Sequence, residues 1–183
     1  MFNFVKKLMF ARQLKFDEGL IDLFGEPIVM FPAYCMADTL KELEKTNSGN
    51  LLYRSFRELG IKWTKNLVKN YGVKREEVFD VGSNVIAMAG YGVVKTLQVD
   101  KSVPEIKFKL ENSSLTKQYG RSDHPIDHLF RGMATGCMCV CYDRDLDGVE
   151  ISCKAMGAPH CVFVIKPKKL FNLSDPLVKK QLS

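Results

Sequence analysis

The chain has 183 residues, 46% of them apolar and 26% charged, ordinary for one soluble globular domain with a well-buried core. A net charge of +6 is mild, and Lys166, Lys168, Lys169, Lys179 and Lys180 carry much of it in the tail, so no clear nucleic-acid face is marked. No segment approaches the roughly 18 consecutive apolar residues that a bilayer-spanning helix needs.

The N-terminal MFNFVKKLMFARQ mixes its lysines into the apolar residues and lacks a small-residue cleavage site, unlike a signal peptide. Six cysteines without an export signal point to a reducing, cytoplasmic setting, where thiols mean metal, redox chemistry or packing before disulfides. From Arg12 to Phe31, short apolar runs alternate with the turns Asp17-Glu18-Gly19 and Gly25-Glu26-Pro27, which predicts a β-meander stopped by Pro32. A short amphipathic helix is expected over Asp38 to Lys45, ending in the polar loop Thr46-Asn47-Ser48-Gly49-Asn50.

Leu52, Phe56, Leu59, Trp63 and Leu67 recur at spacings of three and four, so Leu51 to Tyr71 reads as a helix that Gly72 terminates. A second helix is predicted from Arg75 to Ala89, with Val78, Val81, Val85 and Met88 on one side and Gly90-Tyr91-Gly92 as its break. Val93 to Val99 reads as a strand, Lys101 to Pro104 as a turn, and Glu105 to Glu111 as a strand with Ile106, Phe108 and Leu110 on one face. This is an antiparallel hairpin with one wet side. Asn112 to Ser122 is polar and reads as a loop; with Asp123 as N-cap and Pro125 in the first turn, a helix is expected over His124 to Tyr142. After a turn at Arg144 to Gly148, Val149 to Cys153 and Cys161 to Ile165 read as a hairpin, followed by a basic tail over 167–183. We divide the single domain into a β-meander over 1–32, a main body over 33–166 and that tail.

Chemistry concentrates between His124 and Cys161, which hold all three histidines and five of the six cysteines. Cys137, Cys139 and Cys141 lie on the predicted helix. Cys137 and Cys141 share a face and Cys139 points elsewhere, so compact packing explains them better than three thiolates on one ion. Glu150, Cys153 and Cys161 form E-x-x-C-x7-C, which brings a carboxylate and two thiolates to the mouth of the hairpin. Zinc fits that mixture, with Asp127, His128, His124 or His160 as the fourth ligand; a cross-hairpin disulfide and two packed thiols are the alternatives. Residues three apart on a regular strand leave opposite faces, so metal binding predicts an irregularity at Ile151 to Lys154.

ENSSLTKQYGRSDHPIDHLFRGMATG and VEISCKAMGAPHCVFVI closely resemble the small-molecule-binding domain of the 4-vinyl-reductase (vinyl-4-reductase) family. That family includes the aromatic-effector sensing domains of phenol-responsive activators and is related in fold to TRAPP subunits. Glu150, Cys153, Ala155, Gly157 and Cys161 match its ending E-x-x-C-x-A-x-G-x3-C, and LLYRSFRELGIKW resembles an earlier helix at Tyr53 and Gly60. The resemblance implies a single-domain α+β fold, an antiparallel sheet with helices beside it, that forms a homodimer through helices and encloses an apolar pocket. It also implies a structural zinc on Glu150, Cys153, Cys161 and one helical residue. Asp127 stands where the phenol sensors carry a cysteine, which makes the site harder, and His128 is the neighbouring substitute.

Three functions follow. One is a sensor or binding module for an apolar or aromatic molecule, its pocket lined by residues such as Phe56, Trp63, Tyr91 and Phe130, unless these are plain core. Another is a reductase-like enzyme acting on a vinyl-bearing tetrapyrrole, although no G-x-G-x-x-G fingerprint is present. The third is a dimeric adaptor like the tethering subunits.

Overall fold

The computed structural model describes residues 2–46, 48–100 and 102–182. Asn47 of the polar loop and Lys101 of the hairpin turn lie outside the described residues. The chain opens with a helix that the sequence reading did not assign, α1 (Phe2–Phe10), followed by the expected meander of β1 (Leu14–Asp17), β2 (Leu20–Leu23) and β3 (Glu26–Ile28). Leu8, Leu14, Leu23 and Phe24 gather in a satellite core on Leu67, so the meander is anchored to the long helix.

α2 (Ala33–Glu44) starts directly after Pro32, earlier than the amphipathic pattern suggested, and α3 (Gly49–Tyr71) ends where Gly72 adopts a left-handed φ of 65°. There Val73 N–H returns to the Leu67 carbonyl, satisfying an end that the helix cannot satisfy itself. After a 3₁₀ turn at Arg75–Glu77 come α4 (Val78–Met88), β4 (Val93–Asp100) and β5 (Glu105–Glu111). On β5, Ile106, Phe108 and Leu110 are buried, as the alternation predicted.

The expected loop over Asn112 to Ser122 contains a short helix, α5 (Ser114–Tyr119), capped by the Ser113 hydroxyl, which accepts from Thr116 N–H. The next helix, α6 (His128–Tyr142), begins four residues later than predicted. Pro125 disfavours the helical conformation at His124, and Asp127 rather than Asp123 is the N-cap, accepting from Phe130 N–H at 3.2 Å. β6 (Asp147–Ser152), β7 (Cys161–Lys166) and α7 (Pro176–Leu182) complete the chain.

The main sheet is antiparallel in the order β4-β5-β7-β6, with β7 inserted between β5 and its own hairpin partner. Cys161, Phe163 and Ile165 face the main core, while Val164 on the other side joins Val149, Phe171, Val178 and Leu182. That second apolar face explains why the basic tail is structured: Val178, Gln181 and Leu182 are buried and Lys179 and Lys180 stay exposed.

α3 and α6 are the closest-packed helices. Their contact is made by small residues, and a Cβ added to Gly60, Gly132 or Gly136 would lie 2.3, 2.4 and 2.0 Å from a backbone oxygen of the other helix. The buried line of α3 is therefore Tyr53, Gly60, Thr64 and Leu67, whereas Leu59 of the predicted stripe is exposed.

Candidate functional site

Ile151 is a bulge: Glu150 pairs with Phe163 and Ser152 with Val162, so two steps on β6 match one on β7. The bulge lies within the irregularity that shared coordination requires, and it returns Cys153 to the side of Glu150. Cys153 then leads into a 3₁₀ turn, Lys154–Met156, whose first amide donates to Cys161 Sγ at 3.4 Å. One ligand atom each from Glu150, Cys153 and Cys161 lies within 4.8 Å of the other two, and all three residues are buried.

Asp127, at the mouth of α6, reaches this group through its backbone, its N–H donating to Glu150 Oε2 at 3.0 Å. Its Oδ1 accepts from Tyr91 Oη at 2.6 Å, which leaves Asp127 Oδ2 and Glu150 Oε1 buried without a hydrogen-bond partner among the described residues. Burial pushes the Asp127 carboxyl up to about 7 and drives Glu150 well above the carboxylate range, the latter also through Cys153 and Asp127. The hydrogen bond between the thiols pulls Cys153 down to about 6 and raises Cys161. Two orphaned buried oxygens beside two sulfurs form a donor set that a divalent, borderline-soft cation satisfies, and zinc matches it.

The other nominated ligands point elsewhere. His128 sets Nδ1 3.4 Å from Arg131 Nη2 and Nε2 3.5 Å from Glu44 Oε1, turning toward α2 and Gly49. His124 lies between Asp123 and Glu44, and the carbonyl of His160 accepts from Ser152 Oγ. All six cysteines are free, so the cross-hairpin disulfide is not formed. Cys137 faces Gly60 of α3, and Cys139 packs against Arg57 and the Leu146 carbonyl. Burial raises the thiols of Cys137, Cys139 and Cys141, which removes thiolate character.

A cavity of about 520 Å³ opens between the meander, α3, α4 and α6, walled by Ile28, Leu59, Trp63, Val85, Ile86 and Phe130. Charged side chains enter the lining only at Glu26 and Lys62. Trp63 and Phe130, nominated from the sequence, are on this wall; Phe56 and Tyr91 pack against the main core instead. Tyr91 still matters, because its ring stacks on Phe130 at 5.7 Å while its hydroxyl holds Asp127. Cavity and carboxylate–thiol group thus share the pair Phe130 and Tyr91. Tyr91→Phe should cost about 1–2 kcal/mol of stability, since it strips a donor from a buried carboxylate; an unchanged denaturation midpoint would refute that role.

Residues 106–167 match the family model of the 4-vinyl-reductase domain, a span that runs from β5 through α6 to the end of the β6–β7 hairpin. The chain contains a 4-vinyl-reductase domain. Over its whole length the protein is similar in fold to the phenol-responsive sensory domain of the transcription activator PoxR, whose crystal structure was determined with phenol. That match has a TM-score of 0.79 at 21% identity and covers 100% of this chain and 98% of that one. A vinyl-4-reductase family protein from Methanocaldococcus jannaschii matches at a TM-score of 0.47 and 21% identity, over 63% of this chain and 66% of that one. A trafficking protein particle complex subunit 3 from Naegleria fowleri, covalently bound to palmitic acid, matches at 0.52 and 11% identity, over 73% and 93%. No curated protein sequence matches the chain. The 4-vinyl-reductase domain therefore sits in an α+β fold shared with a sensory domain and, more distantly, a tethering subunit.

Two buried residues that matter here escaped the sequence reading. Arg131, 1% exposed, donates to the carbonyls of Gly148 and Gln181 and lies 3.9 Å from the centre of the Tyr53 ring. An arginine amid the apolar and small residues of α6 was the available signal. Gln181 had none, because its partner is backbone.

Proposed function

We propose that this chain is a binding or sensing domain for an apolar or aromatic small molecule, with a structural zinc on Glu150, Cys153, Cys161 and Asp127. The 520 Å³ cavity carries the reading: its size and mostly apolar wall suit a small-molecule site. The full-length likeness to a phenol-responsive sensory domain supports it. Zinc is supported by the buried, mutually close donors and by the two orphaned oxygens. When bound, the ion supplies charge compensation and a cross-link between β6, the turn after it and β7, not chemistry on a substrate. Four protein donors leave no position for a reacting water, which favours a structural over a hydrolytic centre.

The active form is a homodimer in this reading. Phe10, Val29 and Met30 are 95, 80 and 75% exposed, and with Phe31 and Tyr34 they give the N-terminal part apolar surface that a second copy would cover. Six free thiols support a reducing, cytoplasmic setting.

Native mass spectrometry of protein purified without added metal tests both halves of the proposal. The expected result is one zinc per chain and a co-purified small molecule. Val85→Trp, which puts an indole into the cavity, should remove the small molecule and leave the zinc. Finding neither species on the wild-type chain would overturn the reading; a ligand that persists in Val85→Trp would place its site elsewhere.

A further inference from the structure

β6 is an edge strand, and at Glu150 its amide and carbonyl turn away from β7. An edge position normally leaves such groups to water. Here Gln181 of α7 supplies both partners: its Oε1 accepts from Glu150 N–H at 2.9 Å and its Nε2 donates to the Glu150 carbonyl at 3.0 Å. One primary amide thus replaces a neighbouring strand for one residue only, and that residue is the carboxylate of the candidate metal centre. Gln181 is itself held, with its carbonyl accepting from Arg131 Nη1 at 2.9 Å and its Nε2 also near the Leu177 carbonyl at 3.2 Å. It is 4% exposed.

The placement has a mechanical consequence. The ladder is irregular directly after Glu150, so β7 does not fix the backbone between Glu150 and Cys153 through continuous pairing. Without a second constraint, rotation about the Glu150 backbone would swing Oε1 away from the two sulfurs. We propose that Gln181 is the positioning residue of this centre: it clamps the Glu150 backbone beside the bulge, and metal binding and docking of α7 therefore reinforce each other. By linkage, an ion that requires the clamped Glu150 stabilises the docked helix by the same factor that the docked helix adds to metal affinity. The inference rests on the zinc reading above.

Cobalt(II) titration of the full chain, followed by its thiolate charge-transfer and d–d bands, tests it together with hydrogen exchange. Gln181→Met keeps the length and apolar packing of the side chain and removes the amide. It should weaken cobalt binding by about 10- to 100-fold and alter the d–d bands, since outer-shell partners hold ligand geometry. Val178→Ala trims a buried residue of the same helix that does not bond Glu150, and should leave affinity and spectrum nearly unchanged. In the wild-type chain, metal should also slow amide exchange at 176–182. Wild-type affinity and spectrum in Gln181→Met, or an equal loss in Val178→Ala, would overturn the clamp while leaving the metal centre standing. If Gln181→Met does not fold, the exchange experiment decides, because protection of 176–182 that ignores metal contradicts the coupling. A wild-type chain that takes up no cobalt or zinc overturns both readings.

Discussion

Cys161→Ser is expected to abolish zinc retention and to lower stability by about 4 kcal/mol, the contribution of an ion present at a thousandfold its dissociation constant. The size follows from where the residue sits. Cys161 is fully buried at the first position of β7, against Leu110 of β5, with Cys153 and Glu150 within 4.8 Å. Serine is a poor soft donor and leaves Glu150, Asp127 and Cys153 packed together without the cation that balances them. Burial already raises both carboxyls, so the metal-free group is at odds with its surroundings before any substitution. Cys153→Ser should behave alike, and chelation of the wild-type chain should lower its midpoint by a comparable amount. Cys137→Ser, on the face of α6 toward α3, should retain full zinc. Metal analysis and thermal denaturation of the three variants decide the matter: zinc lost from Cys137→Ser, or kept in Cys161→Ser, would mean that the wrong thiols have been assigned.

Legibility in the sequence followed the range of the interaction. Where a pattern reports a local cause, the sequence was enough: Gly72 ends α3 in a left-handed conformation, and the alternation over Glu105 to Glu111 buries Ile106, Phe108 and Leu110. The bulge was legible because a chemical requirement, one shared cation, conflicted with the pleat. Position 127 shows the limit. Asp127 does lie at the mouth of α6 beside Glu150, but its N-cap role was assigned to Asp123, because Asp-x-Pro resembles a helix start whichever aspartate does the capping. The tail misled for another reason. Its lysines describe only the wet side of α7, and the apolar positions cover the outer face of β6 and β7, a surface that exists only after the sheet has formed. Ser174-Asp175-Pro176 was the local signal available there: Leu177 N–H bonds the Asp175 carboxylate, with Pro176 in the first helical turn.

The cavity wall was half legible for the same reason. The aromatic residues of α3 and α6 were identified, but not that the meander would supply a wall, which depends on Phe24 and Leu23 docking against Leu67 and Trp63. Tyr91 stands between the two sites: it gives its ring to Phe130 on the cavity side and its hydroxyl to Asp127 on the other. A ligand that displaces Phe130 must therefore either move Tyr91 or break its stacking, so occupancy of the cavity and order at the carboxylate–thiol group are physically coupled.

Gly136→Ala should destabilise the chain by about 3 kcal/mol although it adds a single methyl group, the upper part of the usual range for overpacking. The added Cβ would lie 2.0 Å from the Arg57 carbonyl oxygen and 2.9 Å from the Ile61 amide nitrogen. Both are backbone atoms of α3, so no side chain can rotate aside; one helix must retreat from the other. Retreat is costly on both faces of α6. Gly132 and Gly60 repeat the close approach one turn to either side, and behind α6 Thr135 and Arg131 pack on Gly148 of β6. A shift of α6 would also move Asp127 and Phe130, so the substitution should reduce zinc content along with stability. Gly82→Ala is the control. It sits in α4 with only the Trp63 ring at 3.6 Å, ordinary contact, and alanine's higher helix propensity should raise stability by up to about 1 kcal/mol. For a domain of this size, 3 kcal/mol lowers the melting temperature by about 6–12 °C. Equal midpoints for Gly136→Ala and the wild-type chain would show that α3 and α6 are not in backbone contact, and the scaffold that aims Asp127 at Glu150 would need another explanation.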